Sequence, residues 1–198
     1  MFDLMLTGVG GEGVLTAQSI IAKAAQMDGY FISGLQLHGL AQRGGTIPAF
    51  IRFTKKNEAI SPTVMISNAD LIMAFEPLEA VRATQYANKK KTTFIINNWP
   101  HMPIYANILD IPYPEMKEIE KRVLPFAKKV MIFDTHKLAL DTFGIPILGN
   151  TMLIGAAIGT GNLPIREKTM KKAISETVRH GLEMNMNAFE MGLKLGKK

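Results

Sequence analysis

Four glycines in six residues, Gly8-Val9-Gly10-Gly11-Glu12-Gly13, stand between an apolar run and a stretch with helical spacing. The run, Phe2 to Thr7, has the length and character of a strand. Beyond the glycines, Val14, Ala17, Ile21 and Ala24 fall at steps of 3, 4 and 3, which is one face of a helix. Gly29 closes that helix, and Tyr30 to Ser33 begins a second strand. A strand that turns through glycines into a helix and then into another strand opens an α/β fold, and the remaining elements must fit a sheet of that kind.

They do so in alternation. Ile47 to Phe53 suits a third strand, and Lys55 to Pro62 is polar and turn-like. Asp70 to Phe75 reads as a buried strand, and Pro77 opens a helix through about Asn88, its missing N–H costing nothing in the first turn. Thr93 to Ile96 is a further buried strand, Asn97 to Asp110 a loop with two prolines, Glu115 to Ala127 a charged amphipathic helix, and Val130 to Phe133 a last strand. From Thr135 onward the period is helical, with helices expected at Lys137–Thr142, Thr151–Thr160, Arg166–His180 and Leu182–Leu195. The pattern predicts a Rossmann-like α/β fold, with a mostly parallel twisted sheet, helices on both faces and a helical C-terminal segment. An α/β core over residues 1–134 followed by a helical segment over 135–198 is the expected organisation.

Two stretches concentrate groups that could bind a ligand. Gly8 to Gly13 matches G-x-G-x-x-G in its required setting, after a strand and at the start of a helix. The pattern assigns Gly8 to the tight turn, Gly10 to close approach of a ligand and Gly13 to close helix–strand packing. Free N–H groups and the positive end of the helix dipole there favour a phosphate or carboxylate. A dinucleotide is disfavoured, because the acidic residue expected about 20 residues on to hold the ribose is absent between Tyr30 and Gln42, where the nearest candidate is neutral Gln36. Glu12 suits the dipole but competes with an anionic ligand. Anion or nucleotide binding, nicotinamide binding and a purely structural turn remain open at this point. The second stretch, His38-Gly39-Leu40-Ala41-Gln42-Arg43-Gly44-Gly45, joins an imidazole and a guanidinium to three glycines. Arg43 could clamp a carboxylate or phosphate while the flanking backbone comes close, and the alternative is a turn whose arginine pairs on the surface.

No phosphate loop of the G-x-x-x-x-G-K-[ST] type, no H-E-x-x-H and no G-x-S-x-G is present. Of the four histidines, His136 and His180 fall in segments of helical period and are expected at the surface or as caps. Glu76 and Glu79 flank a helix start, which the dipole explains without catalysis. The chain has no cysteine, which excludes thiolate zinc sites, cysteine nucleophiles and iron–sulfur clusters ligated by its own residues. The net charge is +6, and the eight basic against four acidic residues from Arg166 to Lys198 read as a solvated helical face, with nucleic acid not expected as a partner. No apolar run reaches the roughly 18–20 residues of a membrane span, and the start lacks the positive charge of a signal peptide, so a cytoplasmic location is expected.

Taken together, GVGGEGVLTA at 8–17, HGLAQRGG at 38–45, ADLIMAFEPLEAVRA at 69–83, LGNTMLIGAAIGTGNLPI at 148–165 and NMNAFEMG near the C-terminus resemble the gamma-type domain of the 2-oxoacid:ferredoxin oxidoreductases. The form they resemble is that of the small (beta) subunit of the indolepyruvate enzymes, over nearly the whole chain. The H-G-L-A-Q-R-G-G segment is the most specific part. The family loop commonly reads GGQG where this chain has Glu12, and a Glu commonly precedes the second motif where this chain has Gln36, so the two residue types look exchanged. The resemblance implies a subunit inactive alone, in a heteromeric complex of anaerobic metabolism. A large partner subunit would carry thiamine diphosphate, Mg²⁺ and 4Fe-4S clusters and pass electrons to ferredoxin. It also implies a shared coenzyme A site: by analogy Gly8, Gly10, Gly11 and Gly13 contact phosphate or pantetheine, with Glu12, Gln36, Gly44 and Gly45 beside them. His38 and Arg43 would contact an anion or close over the partner's active site. A gamma subunit for pyruvate or a branched 2-oxoacid is the alternative within the class. Outside it stand a nicotinamide-dependent Rossmann dehydrogenase and a scaffold that only shields a partner's site.

Overall fold

The computed structural model describes residues 1–37, 44–103, 106 and 108–198. Among these, six strands form one sheet: β1 (Phe2–Val9), β2 (Phe31–Gln36), β3 (Thr46–Thr54), β4 (Leu71–Ala74), β5 (Thr93–Asn97) and β6 (Lys129–Phe133), in the order β2-β3-β1-β4-β5-β6. β1, β4, β5 and β6 run parallel, whereas β3 is antiparallel to both β1 and β2. The reversal follows from chain length. Parallel neighbours need a crossover of a dozen or more residues, and the stretch from Leu37 to Gly45 is shorter than that. β3 therefore returns beside β2 and inserts between it and β1.

Side chains alternate across the sheet and define two cores. Leu4 and Leu6 of β1, Leu71 and Met73 of β4 and Ile95 of β5 face one side. Met5, Ile72, Ala74, Phe94 and Ile96 face the other. The first side is covered by α1 (Val14–Met27), α5 (Gly149–Gly159), α6 (Glu167–Thr177) and α7 (Leu182–Gly196). The second is covered by α2 (Pro77–Arg82), with its 3-10 extension Ala83–Tyr86, and α3 (Met116–Val123). Both helices are shorter than their periodicity predicts: α2 tightens into the 3-10 turn, and Pro125 forces α3 to end because it cannot donate to the helical ladder. α4 (Thr135–Phe143) follows β6 and packs through Ala139 in a smaller core with Met152 and Ala188. α6 stops at Thr177, so His180 is not helical but lies exposed in the connection to α7.

The C-terminal helices are built into the molecule. α5 has no polar face, and nearly all of it is buried. It meets α7 backbone to backbone, because Gly155 and Gly159 face Gly192 and Gly196. At the far end of α1, the Asp28 carboxylate accepts from the N–H and Nε of Arg166, both at 2.8 Å, and from the Thr169 hydroxyl at 2.6 Å, tying α1 to the start of α6. Burial alone would raise the Asp28 carboxyl, but these hydrogen bonds and the Arg166 charge outweigh it and hold the group below its ordinary range. On the same, amino edge of the sheet, buried Arg52 pairs with buried Asp3 through Nε at 2.7 Å, and Asn68 donates to the other Asp3 oxygen at 2.6 Å. No helix among the described residues is long and apolar enough to cross a membrane.

Candidate functional site

All the parallel strands end on one edge of the sheet, and in open α/β sheets this carboxyl edge is where ligands bind. The glycine segment leaves β1 there. β2 also ends there and β3 begins there, which brings the end of the second glycine-rich stretch to the same place. The Gly10 N–H donates to the Gly45 carbonyl at 2.8 Å, and the Gly44 N–H donates to the Gly10 carbonyl at 3.1 Å. Gly10 is thus bracketed by Gly44 and Gly45. His38 and Arg43 lie outside the described residues. Gln36 closes β2 opposite Ala49, with its side chain exposed.

Within the first segment the glycines divide their work differently from the pattern-based expectation. Gly8, expected to make the tight turn, is instead the position of closest strand–helix packing, since a Cβ there would stand 2.6 Å from Val14 Cγ2 and 3.2 Å from Phe75 Cβ. Gly13, expected to allow that packing, adopts the left-handed conformation (φ 79°) as the residue before α1. A side chain at Gly13 would also be strained against Asn150, whose Nδ2 would lie 2.8 Å from a Cβ. Being glycine, residue 13 brings no side-chain cap, and no acidic residue stands in the first turn of α1. The first amides of a 14-residue helix are therefore left to a ligand or water. Glu12 does not cap the helix with its side chain. Its carboxylate lies 3.5 Å from Nδ1 of His101, and its carbonyl accepts from Nδ2 of Asn150 at 2.5 Å.

Beside this helix start is a cavity of about 390 Å³. Thr16, Ala17 and Ile20 of α1 form one wall, and Ile147, Asn150, Thr151 and Ile154 form the facing one. Arg179, His180 and Asn185 complete it. Thr151 donates to Asn185 Oδ1 at 2.8 Å. Asn150 and Asn185 carry no motif of a known chemistry, so sequence reasoning identifies them only as parts of a familiar segment.

The structure gives Glu76 and Glu79 more than the dipole role expected for them. Both are buried. Glu76 caps α2, accepting the Glu79 N–H at 3.0 Å, and its other oxygen receives the Tyr113 hydroxyl and the His101 N–H, the latter at 3.2 Å. Glu79 turns inward: Thr46 donates to it at 3.1 Å, Thr7 at 3.4 Å, and Arg82 forms an ion pair with it. Burial raises the Glu79 carboxyl above its ordinary range, against the opposing pull of Arg82. Burial and the Glu76 charge push the Tyr113 phenol up, so it stays a donor at neutral pH. The sequence signal for this cluster was Glu-Pro at the end of a buried strand.

His136, expected at the surface, is buried, and burial pushes its imidazole down to about 4. Asn97 explains which tautomer it holds. Its Oδ1 accepts from the Thr135 hydroxyl at 2.8 Å, so its Nδ2, 2.8 Å from His136 Nδ1, donates to that nitrogen. The proton of the neutral ring therefore sits on Nε2. Trp99 lies over the ring, with centroids 5.7 Å apart. Among the described residues no group of three or more His, Cys, Asp or Glu is arranged to hold a metal ion.

The chain is similar to the indolepyruvate oxidoreductase subunit IorB of Thermococcus kodakarensis, at 35% identity over all of this chain and 96% of that protein. Its fold is similar to that of the keto/oxoacid ferredoxin oxidoreductase gamma subunit of Geobacter sulfurreducens (TM-score 0.71, 17% identity, 100% of this chain and 99% of that one). It also matches part of a 2-oxoglutarate:ferredoxin oxidoreductase of Magnetococcus marinus, with a TM-score of 0.72 at 16% identity, over 99% of this chain but 31% of that one. That structure holds 2-oxoglutarate, coenzyme A and succinyl-CoA. With residues 3–195 matching the sequence model described as pyruvate ferredoxin/flavodoxin oxidoreductase, the chain belongs to that family.

Proposed function

We propose that this chain is the small subunit of an indolepyruvate (aryl pyruvate):ferredoxin oxidoreductase, helping to bind coenzyme A and to close the active site of a larger partner. The partner would carry thiamine diphosphate, Mg²⁺ and the 4Fe-4S clusters and deliver electrons to ferredoxin. The observation that carries the reading is the uncapped start of α1 at the carboxyl edge, reached through a turn whose Gly10 is bracketed by Gly44 and Gly45 and opening onto a cavity of about 390 Å³. Oriented amides of this kind suit a phosphate group, and a mostly apolar cavity beside them suits an uncharged chain. Coenzyme A would supply a thiol that accepts the acyl group. This chain's own residues would orient that ligand through backbone N–H groups of the Gly10–Gly13 turn, with Arg43 and His38 contacting its anionic end. Glu12 is compatible with the ligand because its carboxylate is engaged toward His101. The lack of cysteine fits an arrangement in which the clusters belong to the partner.

The test is Arg43→Ala in the complex purified from the native source. The coenzyme A requirement should rise or turnover should cease, while the circular dichroism of the subunit is unchanged. Unaltered kinetics would refute the assignment. Titration with NADH separates the dehydrogenase alternative: binding tighter than about 100 μM, near −5.5 kcal/mol, would favour it over the present reading.

A further inference from the structure

The capping geometry of α2 contains an anomaly. In a capping box, the residue at the third helical position reaches back to the N-cap N–H. Glu76 fills the N-cap role and Glu79 stands at that third position, yet the Glu79 side chain is turned away from its own helix end. Its carboxylate instead receives hydroxyls from the end of β1 (Thr7) and the first residue of β3 (Thr46). Arg82, one turn on, pairs with the same carboxylate and donates to Thr46 at 3.3 Å. Thr7 precedes the first glycine segment, and Thr46 follows Gly44 and Gly45. The Glu79 carboxylate therefore grips both strands where they enter the glycine site. Burying a carboxylate costs several kcal/mol unless its oxygens are satisfied, and a local cap could be made at the surface without that cost.

We propose that Glu79, acting through Thr46, is a positioning residue that holds the two glycine segments together and so sets the spacing of the amides offered to the ligand. The functional half of this inference rests on the coenzyme A reading given above. Arg82 pairs with the carboxylate and opposes the effect of its burial, and Thr7 and Thr46 fix its direction. The contacts Gly10–Gly45 and Gly44–Gly10 then follow as the register of β1 against β3 continued past the last paired residues, Val9 and Thr46.

The experiment measures amide hydrogen exchange in the full chain, followed by steady-state kinetics in the complex with its partner. Thr46→Val removes the hydroxyl at constant shape, Thr46→Ser restores it, and Glu79→Gln removes the charge. With Thr46→Val and Glu79→Gln, exchange of the Gly10 and Gly44 amides should rise about tenfold, the loss of one hydrogen bond to a charged acceptor. Amides of β5 and β6 should not change, and Thr46→Ser should resemble the parent chain. In the complex, the KM for coenzyme A should rise more than kcat falls. Unchanged exchange at Gly10 and Gly44, or an equal rise across the whole sheet, would overturn the proposal. A local rise with an unmoved KM would leave the positioning role standing and refute coenzyme A as the ligand.

Discussion

Replacing Gly192 by alanine should destabilise the protein, although the same change in an ordinary helix stabilises it. Gly192 lies inside α7, where alanine is favoured over glycine by about 1 kcal/mol. Against this stands the contact with α5. A Cβ at residue 192 would be 2.8 Å from the Met152 carbonyl carbon and 3.0 Å from the Ala156 nitrogen, and closer still to the Met152 oxygen. These are backbone atoms of a helix buried between the sheet and α7, so they cannot rotate aside as a side chain could. α7 must withdraw by roughly 1 Å, loosening Phe189 and Leu193 in a core packed at crystal density. Overpacking of this kind costs about 1–3 kcal/mol, and a backbone obstacle places it at the top of that range. The net loss is then about 2 kcal/mol, or about 4–8 °C in Tm for a chain of this size. Differential scanning calorimetry of Gly192→Ala beside Asn187→Ala, on the exposed face of the same helix, isolates the contact. Asn187→Ala should raise Tm slightly or leave it unchanged. A Tm for Gly192→Ala equal to or above that of the parent chain would refute close backbone packing of the two helices.

Two further outcomes follow from buried charge and a buried ring. Arg52→Met should cost about 3–5 kcal/mol in urea unfolding by stranding the Asp3 carboxylate, and adding Asp3→Asn should recover most of it; a single-variant loss below about 1 kcal/mol would contradict the burial of the pair. His136 is held neutral with its folded pKa near 4, below the ordinary value of 6.5. Between those values the unfolded chain binds a proton that the folded one does not, so the contribution of this ring to stability should fall as pH drops from about 6.5 to about 4, by about 3 kcal/mol in total, and level off below it. His136→Gln should remove that part of the pH dependence, and identical slopes in the two proteins would refute the assignment.

What the sequence disclosed was the part governed by local rules. The glycine segment sits between β1 and α1, as its spacing requires, and strands such as Asp70–Phe75 and Thr93–Ile96 fall within a residue or two of their apolar runs. Strand direction was less visible, because it depends on the length of the connection between β2 and β3 and not on the residues within either strand. The length was available in the sequence, and it argued for an antiparallel return. Residue roles that depend on distant partners were not legible. Glu79 looks like a first-turn carboxylate until Thr7 and Thr46 are seen against it, and His136 looks like a surface residue of an amphipathic helix until Asn97 and Trp99 close over it. The exchange of duties between Gly8 and Gly13 has the same cause, since each is set by what packs opposite: Phe75 for one and Asn150 for the other.

The glycine-to-glycine contact of α5 and α7 also bears on biosynthesis. α7 is translated after the whole sheet and α5, yet its Phe189 and Leu193 join the same core as Leu4 and Leu6 of β1. A nascent polypeptide can assemble the sheet early, but the mostly apolar α5 keeps an uncovered flank until α7 has emerged from the ribosome. This face therefore closes late, and until then the unfinished molecule displays a greasy stripe for chaperones to shield.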